Sequence, residues 1–126
     1  MPTPKRQRNN TEDQEMEALA HWVALSLQRY PPLKYLYHTP NGGYRHPVTA
    51  ARLKRQLVKK GIPDLFLPYP VGKRHGLWIE LKTAKGRPTP EQLEWIASMI
   101  GLEYDATIAY GWEEARDQLI DYINGY

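Results

Sequence analysis

Between Arg29 and Arg87 the sequence carries 13 Lys and Arg residues and only two acids, Asp64 and Glu80. Glu80 lies within Leu77-Trp78-Ile79-Glu80-Leu81-Lys82. As a strand, this segment turns Leu77, Ile79 and Leu81 to one face and Trp78, Glu80 and Lys82 to the other. Asp64 opens the preceding apolar segment, and a hairpin between the two brings it near Glu80. Two carboxylates and an ammonium then share one small site. Neighbouring carboxylates repel unless a cation lies between them, and Mg²⁺ binds through one or two carboxylates plus waters and substrate phosphate. Such an ion acidifies a bound water and polarises a phosphoryl group. Lys82 can orient that water or stabilise charge that builds on phosphorus. These parts fit hydrolysis of a phosphodiester. A plainer reading makes Glu80 and Lys82 a same-face ion pair and Asp64 a turn opener after Pro63. For Glu-x-Lys alone the plainer reading is favoured. Pro-Asp, a 15-residue gap and Glu-x-Lys in an otherwise acid-free basic stretch reverse that preference.

The elements that position these residues are legible from local signals. Thr11 caps a helix running to about Arg29, with Met16, Leu19, Ala20, Val23 and Leu27 on one apolar face. Tyr30-Pro31-Pro32 ends it, and Leu33–Tyr37 reads as a short strand. A turn-rich segment follows, and Pro47 starts a basic helix through about Lys60, closed by Gly61. Strands over Asp64–Leu67 and Leu77–Thr83 are joined by a short Pro/Gly-rich loop, as in an antiparallel hairpin. Thr89, Pro90 and Gln92 form a capping box; Leu93, Ile96, Ala97 and Ile100 are the expected apolar face of that helix. A strand over Asp105–Tyr110 and a helix over Trp112–Ile123, with Ala115, Leu119 and Ile123 inward, complete an α/β domain with helices packed on one sheet.

Composition narrows the classes. The 126 residues suit one domain with a single core, and the absence of Cys excludes disulfides, thiol nucleophiles and iron–sulfur clusters. No apolar run approaches the ~20 residues that span a bilayer. Residues 1–10 are polar and basic, with no apolar core of a secretory signal, so they are expected to form a disordered basic arm in a cytoplasmic protein. The net charge of +3 conceals +10 over residues 1–87 and −7 over residues 88–126. A basic region of this density suits a polyanion, because Lys and Arg neutralise phosphates and release counterions; a solvated surface is the alternative.

Pro63-Asp64 followed by Glu80-Leu81-Lys82 resembles the signature of the PD-(D/E)xK nuclease superfamily, and in particular its VRR-NUC branch of small stand-alone phage and bacterial proteins. The resemblance takes in Pro40-Asn41-Gly42-Gly43 with Arg45, Arg52-Leu53-Lys54, Gly61-Ile62-Pro63-Asp64-Leu65, Ile79-Glu80-Leu81-Lys82, Gly86, Thr89-Pro90-Glu91-Gln92 and Gly111-Trp112-Glu113-Glu114-Ala115. It implies a restriction-endonuclease-like core over residues 11–126, a mixed central sheet flanked by helices. It also implies that Asp64, Glu80 and the backbone carbonyl of Leu81 ligate Mg²⁺ or Mn²⁺ and that Lys82 is the catalytic lysine. Similar enzymes add a glutamine from the next helix, here Gln92, which also has its capping role. They further add a glutamate from the first helix. Glu12 continues the apolar stripe one turn before Met16 and is the first candidate, with Glu15 in reserve; complementing the helix dipole is the alternative role for either one.

Arg45, Arg52, Lys54, Arg55, Lys85 and Arg87 flank the site in sequence and are the expected DNA contacts. Lys73, Arg74 and His75 in the hairpin loop are weaker candidates. Similar stand-alone proteins form homodimers and cut four-way DNA junctions. The resemblance therefore implies a metal-dependent, structure-selective endonuclease, a Holliday-junction resolvase. Flap or duplex cleavage, or a non-catalytic DNA-binding module, are the competing readings. Trp95, Trp112, Tyr122 and Tyr126 could supply the subunit contact or complete the core.

Overall fold

The computed structural model describes residues 9–40 and 47–125. Most of the basic arm and the loop containing Arg45 therefore lie outside the described residues. Helix α1 (Glu12–Ser26) starts where Thr11 directs it: the Thr11 hydroxyl accepts from the Gln14 N–H at 3.2 Å, and the Gln14 carboxamide accepts from the Thr11 N–H at 2.8 Å. Its buried positions are Glu15 and Leu19, while Ala20 and Leu27, expected inside, are exposed.

The strand expected over residues 33–37 is instead a 3₁₀ helix (Pro31–Tyr35). Consecutive prolines hold φ near helical values, so only β1 (Tyr37–His38) reaches the sheet. Helix α2 (Pro47–Arg55) stops short of the expected Lys60, because the chain turns left-handed at Leu57, φ 68°. Strands β2 (Leu65–Leu67) and β3 (Leu77–Lys82) form the expected antiparallel pair, with Leu65 opposite Ile79 and Phe66 opposite Trp78. Helix α3 (Pro90–Gly101) carries the chain over to β4 (Asp105–Tyr110), which pairs parallel to β3. A parallel pair needs such a crossover. Helix α4 (Trp112–Asn124) follows directly. The sheet order is β1-β2-β3-β4, so the α/β architecture is a mixed four-stranded sheet flanked by helices.

Alternation along the strands sorts the two faces. Leu65, Leu67, Leu77, Ile79, Leu81 and Ala109 pack against Leu19 of α1 and Ala115, Leu119 and Tyr122 of α4. Tyr122 donates its hydroxyl to the Tyr69 carbonyl at 2.7 Å. The opposite face is aromatic: Phe66 stacks on Trp78 with centroids 4.1 Å apart, and Trp95 of α3 meets Trp78 edge-on at 5.8 Å. Trp95 thus packs on Trp78, Trp112 lies partly buried against the main core and Tyr122 lies within it; Tyr126 lies outside the described residues. Helix α3 is turned by one residue, roughly 100°, from its expected orientation. Trp95, Ile96 and Met99 lean inward, whereas Leu93, Ala97 and Ile100 are exposed. Burying the larger Trp95 ring against Trp78 removes more apolar area from water than burying Leu93 would.

Candidate active site

Pairing of β2 with β3 sets the site. With Leu65 opposite Ile79, the next antiparallel step places Asp64 across from Glu80 on the face away from the main core. Asp64 is anchored through two atoms: its Oδ2 accepts from the Leu81 N–H at 2.9 Å, and its backbone carbonyl accepts from the Thr39 N–H at 2.7 Å. Glu80 is 2% exposed and Lys82 8%. Glu80 Oε2 lies 3.3 Å from Lys82 Nζ, while Glu80 Oε1 is buried with no hydrogen-bond donor. Burial, then the neighbouring Asp64 carboxylate, push the Glu80 carboxyl up from 4.5 to about 8, against the opposing pull of Lys82. Facing carboxylates are compatible only if they share a proton or a cation. The pair, Glu80 buried and Asp64 half-buried, therefore fits a hard divalent ion, which needs few protein ligands when waters and phosphate supply the rest. Among the described residues no cluster of three or more acidic, His or Cys side chains gathers around a common point.

Close backbone approaches hold these groups. A side-chain carbon at Gly86 would sit 3.3 Å from Lys82 Cδ, so the turn after β3 folds directly over the lysine stem. At Gly61, φ is +84° and a Cβ would lie 2.6 Å from the Glu91 backbone, which seats the segment leading to Asp64 against the first turn of α3.

The two glutamates of α1 part company. Glu12 Oε1 lies 4.0 Å from Lys82 Nζ, with its side chain 55% exposed. It does not continue the buried stripe. Glu15 does, at 2% exposure, and its Oε1 accepts from the Trp112 N–H at 3.0 Å while Oε2 accepts from the Asn10 side chain at 2.9 Å. Glu15 thereby caps α4, whose own N-cap, Gly111, has no side chain to do so. That role went unread in the sequence, although a helix opening on Gly-Trp already signals that its capping acceptor must come from elsewhere. Gln92 is half-buried at the start of α3, its carboxamide oxygen bound to the Thr89 N–H at 2.8 Å.

The basic candidates divide as well. Arg52, Lys54 and Arg55 stand exposed on α2, and Lys85 and Arg87 are exposed in the turn beside Gly86; Arg45 lies outside the described residues. Arg74 and His75 sit at the far end of β3, where Arg74 pairs with Asp105 at 3.8 Å and His75 with Glu103 at 4.0 Å.

The sequence profile of the VRR-NUC domain matches residues 10–113. The chain belongs to the VRR-NUC family. A solved structure of a VRR-NUC domain protein superposes with a TM-score of 0.80 at 30% identity, covering 94% of this chain and 92% of that one. No curated protein matches the chain. Membership makes this a nuclease-type domain that processes DNA. The Pro63-Asp64 and Glu80-Leu81-Lys82 segments and their connecting hairpin all fall inside the matched VRR-NUC region. No described helix is long and apolar enough to cross a membrane.

Proposed function

We propose that this VRR-NUC domain is a Mg²⁺- or Mn²⁺-dependent endodeoxyribonuclease of the cytoplasm that cuts branched DNA, a Holliday-junction resolvase acting as a homodimer. The observation that carries the catalytic part is the burial of Glu80 against Asp64 and Lys82. Folding alone gives no reason to place two acids and an amine in one desolvated spot. In the proposed site Asp64, Glu80 and the Leu81 carbonyl hold the metal. When bound, the ion supplies an acidified water and neutralises charge on the phosphate.

The chain's own groups do the rest. Asp64, fixed by the Leu81 N–H, has its carboxylate directed by the backbone rather than by a flexible stem. Lys82, packed under Gly86 and drawn toward Glu80, directs an N–H at the attacking water or at a non-bridging phosphate oxygen. Hydrolysis forms a bond from water oxygen to phosphorus and breaks the opposite phosphorus–oxygen bond, the water proton being lost and the departing oxygen gaining one. Glu12, within reach of Lys82, is proposed to tune that ammonium. Gln92 is proposed to contribute from the capped start of α3. Arg45, Arg52, Lys54, Arg55, Lys85 and Arg87 would contact the backbone phosphates.

Junction preference and dimerisation rest on similarity to stand-alone VRR-NUC proteins, and two active sites in one dimer suit paired incisions. The test is to incubate purified protein with labelled four-way junction, flap and linear duplex, with and without Mg²⁺ or Mn²⁺, and to measure its molar mass by light scattering. Metal-dependent cutting of the junction in preference to the other two, by a dimer, is the expected result. Binding without cutting in any metal would make this a DNA-binding module, and equal cutting of linear duplex would remove the resolvase assignment.

A further inference from the structure

Two helices of this protein end in the same way. At the end of α3 the Glu103 N–H bonds to the Ile100 carbonyl and the Tyr104 N–H to the Met99 carbonyl; at the end of α2 the Leu57 N–H bonds to Lys54 and the Val58 N–H to Leu53. Both are Schellman ends, which place one residue in the left-handed region where Gly is the favoured occupant. Here those residues are Glu103 and Leu57, each at φ 68°. Glu103 is engaged, since its carbonyl accepts from the His75 N–H and its carboxylate pairs with the His75 ring. Leu57 instead projects into solvent, 79% exposed, beside Val58 at 45%. A lone exposed leucine is ordinary. A leucine held in a glycine conformation, with its side chain offered to water, gains nothing for this fold.

Its surroundings indicate what it meets. Between Pro47 and Pro63 there are five basic residues and no acidic one, and Arg52, Lys54, Arg55, Lys59 and Lys60 are all exposed. A second copy of this chain docking symmetrically here would oppose five cations to five more. A DNA duplex brings phosphates to the cations and a base stack to the leucine. Six residues lie between Leu57 and Asp64, a span of at most about 25 Å, and the intervening Gly61 is pressed against α3. We propose that Leu57, supported by Val58, is a wedge that enters a base step of the DNA beside the cut, and that it prefers a branch point because stacking there is already interrupted. The inference rests on the nuclease reading and names the feature of branched DNA that this end of α2 recognises.

The test uses the full chain and four-way junctions carrying 2-aminopurine at successive positions within roughly seven base steps of the cut. Wild-type protein and Leu57→Met are expected to brighten the probe severalfold at one step, as the base unstacks. Leu57→Gly should abolish the brightening and bring junction cutting down toward the linear-duplex rate. It should weaken DNA binding by roughly tenfold at most, because phosphate contacts carry the affinity. Gly suits the left-handed position, so this variant should melt at or above the wild-type temperature, and lost selectivity cannot be ascribed to unfolding. Glu80→Gln should keep the brightening without cutting. The wedge is overturned if Leu57→Gly keeps both brightening and selectivity, or if it only lowers the molar mass of the protein, which would make the loop a subunit contact. Wild-type cutting with no probe brightening anywhere removes the wedge alone; a wild type that binds no DNA removes the nuclease reading and the wedge together.

Discussion

At the Leu77 end of β3, Arg74 lies 3.8 Å from Asp105 and His75 lies 4.0 Å from Glu103, with the Arg74, His75 and Glu103 side chains each more than half exposed. At the Lys82 end of the same strand, Glu80 and Lys82 lie 3.3 Å apart with side chains 2% and 10% exposed, and Asp64 adds a second carboxylate. Both clusters pair carboxylates with basic side chains at 3.3–4.0 Å. Water reaches Arg74, His75 and Glu103 in the first, so its pairs add little to stability. The second is desolvated, and one of its carboxyl oxygens has no donor. A strand that tolerates the second arrangement gives up stability locally for a site that binds or reacts.

The largest effect expected from this contrast is on cutting. Glu80→Gln or Lys82→Ala should lower the cleavage rate by on the order of a thousandfold while largely preserving junction binding, as measured with labelled DNA at saturating metal. Full rates in both variants would mean that the buried cluster is not the reactive one.

Next in size is a pH effect on stability. The Glu80 carboxyl binds its proton more tightly in the folded chain, about 8 against 4.5. Its stabilising contribution is therefore complete below about pH 4.5 and is lost as the pH rises through about 8. In chelator-treated protein the melting temperature should fall between about pH 4.5 and about pH 8 and level off above that. Glu80→Gln, which has no charge to desolvate, should flatten that fall and melt higher than wild type at the alkaline end. An identical slope in both proteins would assign the pH dependence to another group.

The smallest effect belongs to the solvated end. Arg74→Ala should change unfolding free energy by no more than about 0.5 kcal/mol and the cleavage rate by no more than about twofold. A large loss of cutting would move this loop into the DNA interface and dissolve the contrast between the two ends.

Much of this arrangement is written in local signals. The capping boxes of Thr11 with Gln14 and of Thr89 with Gln92 act within one turn of chain, and strand alternation assigns Glu80 and Lys82 to one face without knowledge of any neighbour. Asp64 came from spacing, since a short hairpin leaves few registers that keep Leu65 and Leu67 on the core side. The 3₁₀ turn over Pro31–Tyr35 was less legible, because Leu-Lys-Tyr-Leu-Tyr has strand-like composition and the preceding prolines decide its conformation.

Which glutamate of α1 lies near Lys82 depended on a contact 97 residues away, where the uncapped start of α4 takes Glu15 and leaves Glu12 free to face the lysine. The facing of α3 likewise followed from Trp78 and Trp95 meeting across the sheet, not from the spacing of Leu93, Ala97 and Ile100. Residue order thus determined the identity of the clustered acids and lysine, the elements that carry them and the register that joins Asp64 to Glu80, because these depend on neighbours a few positions apart. Tertiary structure alone decided which groups lose their water and which acceptors are left over, because desolvation and helix capping are set by whatever segment arrives from the other end of the chain.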